Sequence, residues 1–164
     1  MTSLVLLSVS PVALDLETLR AALDAVFPGQ FLPPREAGNL VVDGPVKGAM
    51  FMVMSAVPGF EGGFMVHAVP GPYDDFSPFR ARIRDPRVLD AVARHRAWMS
   101  VDRIVPMGTE EGHYRFIGRL LAHLVPPDAV ALVHPSRMQT LEATPDALRD
   151  LAGEGPVRWL EGRG

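Results

Sequence analysis

DPRVLDAVARHRAWMSVDRI (85–104) and YRFIGRLLAHLVPPDAVALVHPSRMQTL (114–141) read in succession as helix, strand, helix, strand, and they decide the fold class. Asp85-Pro86 is a helix start, a capping carboxylate followed by proline at the first helical position, with Val88, Leu89, Val92 and Ala93 facing inward. Trp98 to Ile104 is mostly apolar and short enough for a strand. Thr109 caps the next helix, Glu110 and Glu111 favour its positive end, and Tyr114, Ile117, Leu121 and Leu124 form its buried stripe. Pro126-Pro127-Asp128 ends that helix. Ala129 to His134 and Met138 to Ala143 follow as strands around a Pro-Ser turn.

Ser3 to Ser10 is a buried strand stopped by Pro11. Asp15 caps a helix carrying Leu16, Leu19, Leu23, Val26 and Phe27, and Pro28-Gly29 stops it. Residues 30–38, with Pro33-Pro34, read as a connection. Asn39 to Asp43 and Gly48 to Val57 read as strands, and PGFEGG supplies turn chemistry before Phe64 to Val69, giving a hairpin over 48–69. The stretch from Pro70 to Arg84 is the longest irregular segment and a natural place for function. Thr144-Pro145 opens a short last helix closed by Gly153. The expected order is β-α-β-β-β-α-β-α-β-β-α: an α+β domain with a single antiparallel or mixed sheet and helices mainly on one face. One domain spans 1–154, and 155–164 is a C-terminal tail or an edge strand.

Composition narrows the function classes. A chain of 164 residues, 48% hydrophobic, suits one domain with one buried core. A formal net charge of -3 gives no basic footprint, so nucleic acid is not an expected partner. There is no cysteine, which excludes disulfides, thiolate nucleophiles and Cys-ligated metal. MTSLVLLSVSPVAL has no basic residue before its apolar run and reads as a first strand rather than a signal peptide. No window approaches the ~20 apolar residues of a membrane span. A cytoplasmic location is the expectation, with no membrane partner. No nucleophile elbow, phosphate loop or zinc spacing is present.

The segments AVARHRAWMSVD (91–102), YRFIGRL (114–120) and PGPYDD (70–75) together resemble a bacterial family known only as a domain of unknown function. The likeness covers roughly the last two thirds of the chain. It implies an intracellular bacterial α+β domain and no particular activity.

Four groups of residues carry candidate chemistry. His95, Ser100 and Asp102, beside Trp98, are the first: strand alternation puts Trp98, Ser100 and Asp102 on one face. A catalytic reading needs these groups to meet, with His134 joining from its turn beside Ser136; a buried polar network is the structural alternative, and His95 then serves the helix C-terminal dipole. Tyr73, Asp74 and Asp75 with Arg80, Arg82 and Arg84 are the second, where arginines alternating along an extended segment could hold a phosphate or carboxylate. Arg87 belongs to the same run. Pairing with the neighbouring aspartates explains them equally well.

Met50, Met52 and Met54, with Met65, are the third, an adaptable thioether groove for a peptide or another subunit, or the filling of an irregular core. A thioether copper site stands behind both, since that chemistry usually lies outside the cytosol. Glu110-Glu-Gly-His113 is the fourth. Glu and His three apart share a helix face as in di-iron carboxylate proteins, but those need a second copy, and capping explains the acids. His67 and His123 read as hydrogen-bonded or boundary histidines. No metal and no cofactor are called for. The leading expectation is a non-catalytic binding or protein-interaction module, self-associating through the methionine hairpin or a sheet edge. The alternative is a small hydrolase or ligand-binding enzyme built on His95, Ser100 and Asp102.

Overall fold

The computed structural model describes residues 2–41, 47–55, 62–73, 77–104 and 109–160. Among them, seven strands form one sheet: β1 (Ser3–Ser8), β2 (Arg35–Val41), β3 (Lys47–Met54), β4 (Gly63–Pro70), β5 (Ala97–Arg103), β6 (Ala129–His134) and β7 (Gln139–Glu142). The order across the sheet is β2-β3-β4-β5-β1-β6-β7 and every pairing is antiparallel. β1 lies between β5 and β6, so all six of its residues are buried, which is why its sequence runs apolar without alternation.

The helices are α1 (Leu16–Val26), α2 (Ser77–Arg80), α3 (Pro86–Arg94), α4 (Glu110–Leu124), α5 (Pro145–Leu151) and α6 (Gly155–Leu160). Asp15, Asp85, Thr109 and Thr144 cap α1, α3, α4 and α5 by accepting from the backbone N–H of Thr18, Arg87, Gly112 and Ala147. Replacing such a cap with alanine costs about 1 kcal/mol.

The two sheet faces are covered unequally. On the first face, Leu4, Leu6, Phe51, Val53, Phe64, Val66, Met99, Val101 and Leu132 pack into the main core with Leu19 and Leu23 of α1, Phe116, Ile117, Leu120 and Leu121 of α4, and Leu151 of α5. The Phe64 and Phe116 rings stand 4.0 Å apart between centroids at its centre. On the second face, α2 and α3 supply Phe79, Val88, Ala91 and Val92 to a smaller core over Val5, Leu7, Ala131 and Val133. Tyr73 and Trp98 close the margin of that smaller core, 5.2 Å apart, and among the described residues none of β3 or β4 belongs to it.

Three sequence expectations change. β2 begins at Arg35 rather than Asn39, because a bulge between Glu36 and Gly38, with Gly38 at φ 129°, lets pairing start directly after Pro33-Pro34. Gly155–Leu160 is a helix, neither an edge strand nor a free tail. It docks against α4 at Gly118, where a Cβ would come within 2.4 Å of the Leu151 carbonyl and 2.6 Å of Pro156, and Arg158 pairs with Asp150 at 2.8 Å. The 70–84 segment carries α2, so Arg80 closes a helical turn and Arg82 lies in the turn after it; the arginines do not alternate along a strand. Residues 161–164 and the expected strand end at Asp43 lie outside the described residues.

Candidate binding site

Alternation and register together build the site. Directly opposed residues of antiparallel strands share a face, with Cβ atoms about 5 Å apart. Met50 opposes His67, which opposes Ser100; Met52 opposes Met65, which opposes Asp102, which opposes Ser3. Two parallel rows therefore cross β3, β4 and β5 on the second face, methionine at one end and hydroxyl or carboxylate at the other. Met54 continues the stripe beyond Met52 and is 36% exposed. Met50, Met52, Met54 and Met65 belong to neither core. Met99, on the first face, is fully buried. The methionines expected on one face are on one face, and among the described residues it is the one whose α2 and α3 core does not extend over this half.

At the polar end, His67 Nδ1 lies 2.8 Å from Asp102 Oδ2 and 3.0 Å from Ser100 Oγ, and Ser100 Oγ donates to the same Oδ2 at 2.6 Å. Burial raises the Asp102 carboxyl, but hydrogen bonds from His67, Ser100 and Ser3 outweigh it and hold the group below its ordinary value. An ionised carboxylate only accepts. The proton between it and Nδ1 therefore resides on His67, and the Ser100 proton is committed to Asp102. His67 Nε2, the far ring nitrogen, takes no hydrogen bond from the described residues. His67 and Asp102 are half-buried, 17% and 14% exposed at their side chains.

A hydrolytic triad places the carboxylate on one imidazole nitrogen and the nucleophile on the other. Here both oxygens crowd the same nitrogen, the hydroxyl is the carboxylate's donor, and Ser100 is 3% exposed. The arrangement fixes an imidazole; it does not activate a serine.

His95 stands elsewhere. Its Nδ1–H donates to the Val92 carbonyl and its Nε2 accepts the Tyr73 N–H at 3.0 Å, which ties the start of the 70–84 segment to the end of α3. The imidazole that meets Ser100 and Asp102 is His67. His134 lies on the first face, where its ring stacks 4.7 Å from that of Tyr114. Its Nδ1 is 3.3 Å from Ser136 Oγ, which is 3.0 Å from the Tyr114 hydroxyl. Burial lowers the His134 pKa to about 4, and Nε2 is buried without a hydrogen-bond partner among the described residues. Burial likewise pushes the Tyr114 phenol up. This is a second Ser-His cluster, separate from the first.

Tyr73 packs on Trp98, while Asp74 and Asp75 lie outside the described residues. Arg80, Arg82, Arg84 and Arg87 are exposed. Glu110 and Glu111 are exposed, whereas His113 is fully buried beside Arg103, whose Nη1 donates to its Nδ1 at 3.1 Å. The helical spacing therefore does not bring Glu110 and His113 together as ligands. Among the described residues no three His, Cys, Asp or Glu side chains gather as a metal site. Grooves of about 490 Å³ at Leu14, Glu17 and His123 and about 190 Å³ at Phe31, Phe116 and Arg119 lie in the helical layer and are lined by neither the methionine stripe nor His67, Ser100 and Asp102.

His67 is the residue whose role the sequence conceals. It sits 33 positions from its partner Ser100, and only strand pairing brings them together. The available signal was its alternation with Met65 on one strand, which shares a face with Met50 and Met52 once the hairpin register is known. No helix among the described residues is long and apolar enough to cross a membrane. Comparison with protein-family models, with curated proteins and with solved structures returns no match, so the site's own geometry carries the functional argument.

Proposed function

We propose that the protein is a non-catalytic binding module whose working surface is the open half of the second face. The observation that carries this is the stripe Met50, Met52, Met54 and Met65, outside both cores and grouped around a fixed, half-buried imidazole. Thioether side chains are apolar and adaptable, which suits a surface that closes on an occupant. A helix covers the equivalent half over β6 and β7; over β3 and β4 a second copy of the chain can take its place. The bacterial, cytoplasmic origin implied by the family resemblance belongs to the same reading.

Light scattering over a hundredfold range of concentration tests it, on the wild type and on Met54→Lys. The expected result is a concentration-dependent dimer that the substitution returns to monomer, because a buried unpaired ammonium is strongly disfavoured. A monomer at every concentration, together with turnover of activated esters that Ser100→Ala abolishes, would overturn the module in favour of a hydrolase.

A further inference from the structure

Resting on the reading of the open half-face as the binding surface, we propose that Met52, Met65 and His67 Nε2 form a site for a soft monovalent metal ion, copper(I) in chemistry. The three side chains share one face and are immediate neighbours: Met52 opposes Met65 across the β3-β4 pair, and His67 is two residues along β4 from Met65. Met50 opposes His67 and is a third thioether within the same patch. In the present arrangement its terminal methyl rests over Gly38, 3.5 Å from where a Cβ would be, so it joins only by swinging inward. Methionine's three free torsions make that inexpensive.

The state of the imidazole is the second, independent observation. Histidines that ligate metals generally donate their other N–H to a carboxylate or carbonyl, which fixes the tautomer and aims the ligating lone pair. His67 has that support: Nδ1 is 2.8 Å from Asp102 Oδ2, and Ser100 reinforces the carboxylate at 2.6 Å. Nε2 is left as the acceptor, on the side of the ring away from β5. Asp102 is thus a positioning residue, not a ligand.

Ligand softness selects the ion. Two thioethers and an imidazole match copper(I) and are poor donors for magnesium or calcium, which require oxygen. All three donors are neutral, and the carboxylate behind His67 offsets one positive charge. A singly charged ion therefore leaves the patch electrically balanced, where a divalent ion would not. Met52, Met65 and His67 are each partly exposed, which gives the ion a path to solvent.

The test is an anaerobic titration of the full chain with copper(I) buffered by a chromophoric chelator, repeated with silver(I) as a redox-inert probe. One equivalent is expected to bind, and Met52→Leu and Met65→Leu each to weaken binding at least about tenfold. Asp102→Asn should weaken it about tenfold, since it removes only outer-shell charge. Leucine conserves methionine's volume and leaves the fold intact. In the unsubstituted protein, silver(I) is expected to move the His67 Nε2 nitrogen resonance and the Met52 and Met65 methyl resonances, and to leave Met99 in place. Absence of uptake, or wild-type affinity in the Met52→Leu/Met65→Leu double variant, would overturn the site. Met54→Lys, which keeps all three ligands, separates the two ideas: metal uptake by this monomer supports the ion site whatever the fate of the dimer. A dimer that takes no metal ends the inference and leaves the module standing.

Discussion

Two Ser-His clusters sit on opposite faces of one sheet. His67 with Ser100 and Asp102 lies on the half of the second face that the α2 and α3 core does not reach among the described residues; His134 with Ser136 and Tyr114 lies on the face of the main core. The first has a carboxylate and partial access to water. The second has neither, and its imidazole is 3% exposed. Identical residue types therefore end in different states. A carboxylate at 2.8 Å fixes one imidazole through its Nδ1, whereas burial without a counter-charge keeps the other neutral down to about pH 4. The lesson is that a histidine's chemistry is set by what its other nitrogen meets and by whether water reaches it.

The comparison breaks most severely at Asp102. Asp102→Ala strands His67, Ser100 and Ser3 without their acceptor and is expected to cost about 3 kcal/mol in urea unfolding. Asp102→Asn, which keeps an acceptor oxygen, should cost clearly less. Equal losses would show that the charge, rather than the hydrogen bonds, holds the cluster.

The pH dependence should be nearly as large and of a different character. His134 has a folded pKa depressed from 6.5 to about 4, so the unfolded chain binds its proton first. Its contribution is complete above pH 6.5, shrinks as the pH falls from there to about 4, and amounts to at most ~3 kcal/mol across that window. His134→Gln should flatten this part of the stability profile. Asp102 acts lower: its folded pKa is also depressed, but as an acid its contribution persists until the pH falls below the ordinary 3.8 and through the folded value. A His134→Gln profile as steep as wild type between pH 6.5 and 4 would assign the titration elsewhere.

Ser136→Ala is a milder probe. It removes the oxygen between the Tyr114 hydroxyl and His134 and should cost about 1 kcal/mol. Met54→Lys is the smallest in stability, within about 0.5 kcal/mol, because the side chain packs in neither core. Its whole effect is expected in association, and a large loss of stability would place Met54 in the packed interior after all.

Much of the fold was legible because its signals are local. Asp15, Asp85-Pro86, Thr109 and Thr144-Pro145 marked helix starts through short-range capping chemistry, and each does cap. The stripes of α1 and α4 and the methionine alternation of β3 followed from periodicity. The start of β2 was not legible, because a bulge at Gly38 depends on pairing with Met50. Nor was α6, whose approach to α4 depends on the space left at Gly118. At the site, Trp98, Ser100 and Asp102 were placed on one face correctly by alternation, yet the histidine they would meet was taken from the adjacent sequence. His95 is near in sequence; His67 is near in space.

The sequence by itself determined most of the elements, the caps of α1, α3, α4 and α5, the side of each strand that its residues occupy, and the absence of any thiol chemistry. These depend on backbone periodicity and on groups within a few residues of one another. The tertiary structure alone decided which half of the second face α2 and α3 cover, which imidazole reaches Asp102, and that His134 is sealed away with Tyr114. Those outcomes depend on strand order, on register and on which helix lies over which strands, and a linear chain contains these only through the packing of all its parts at once.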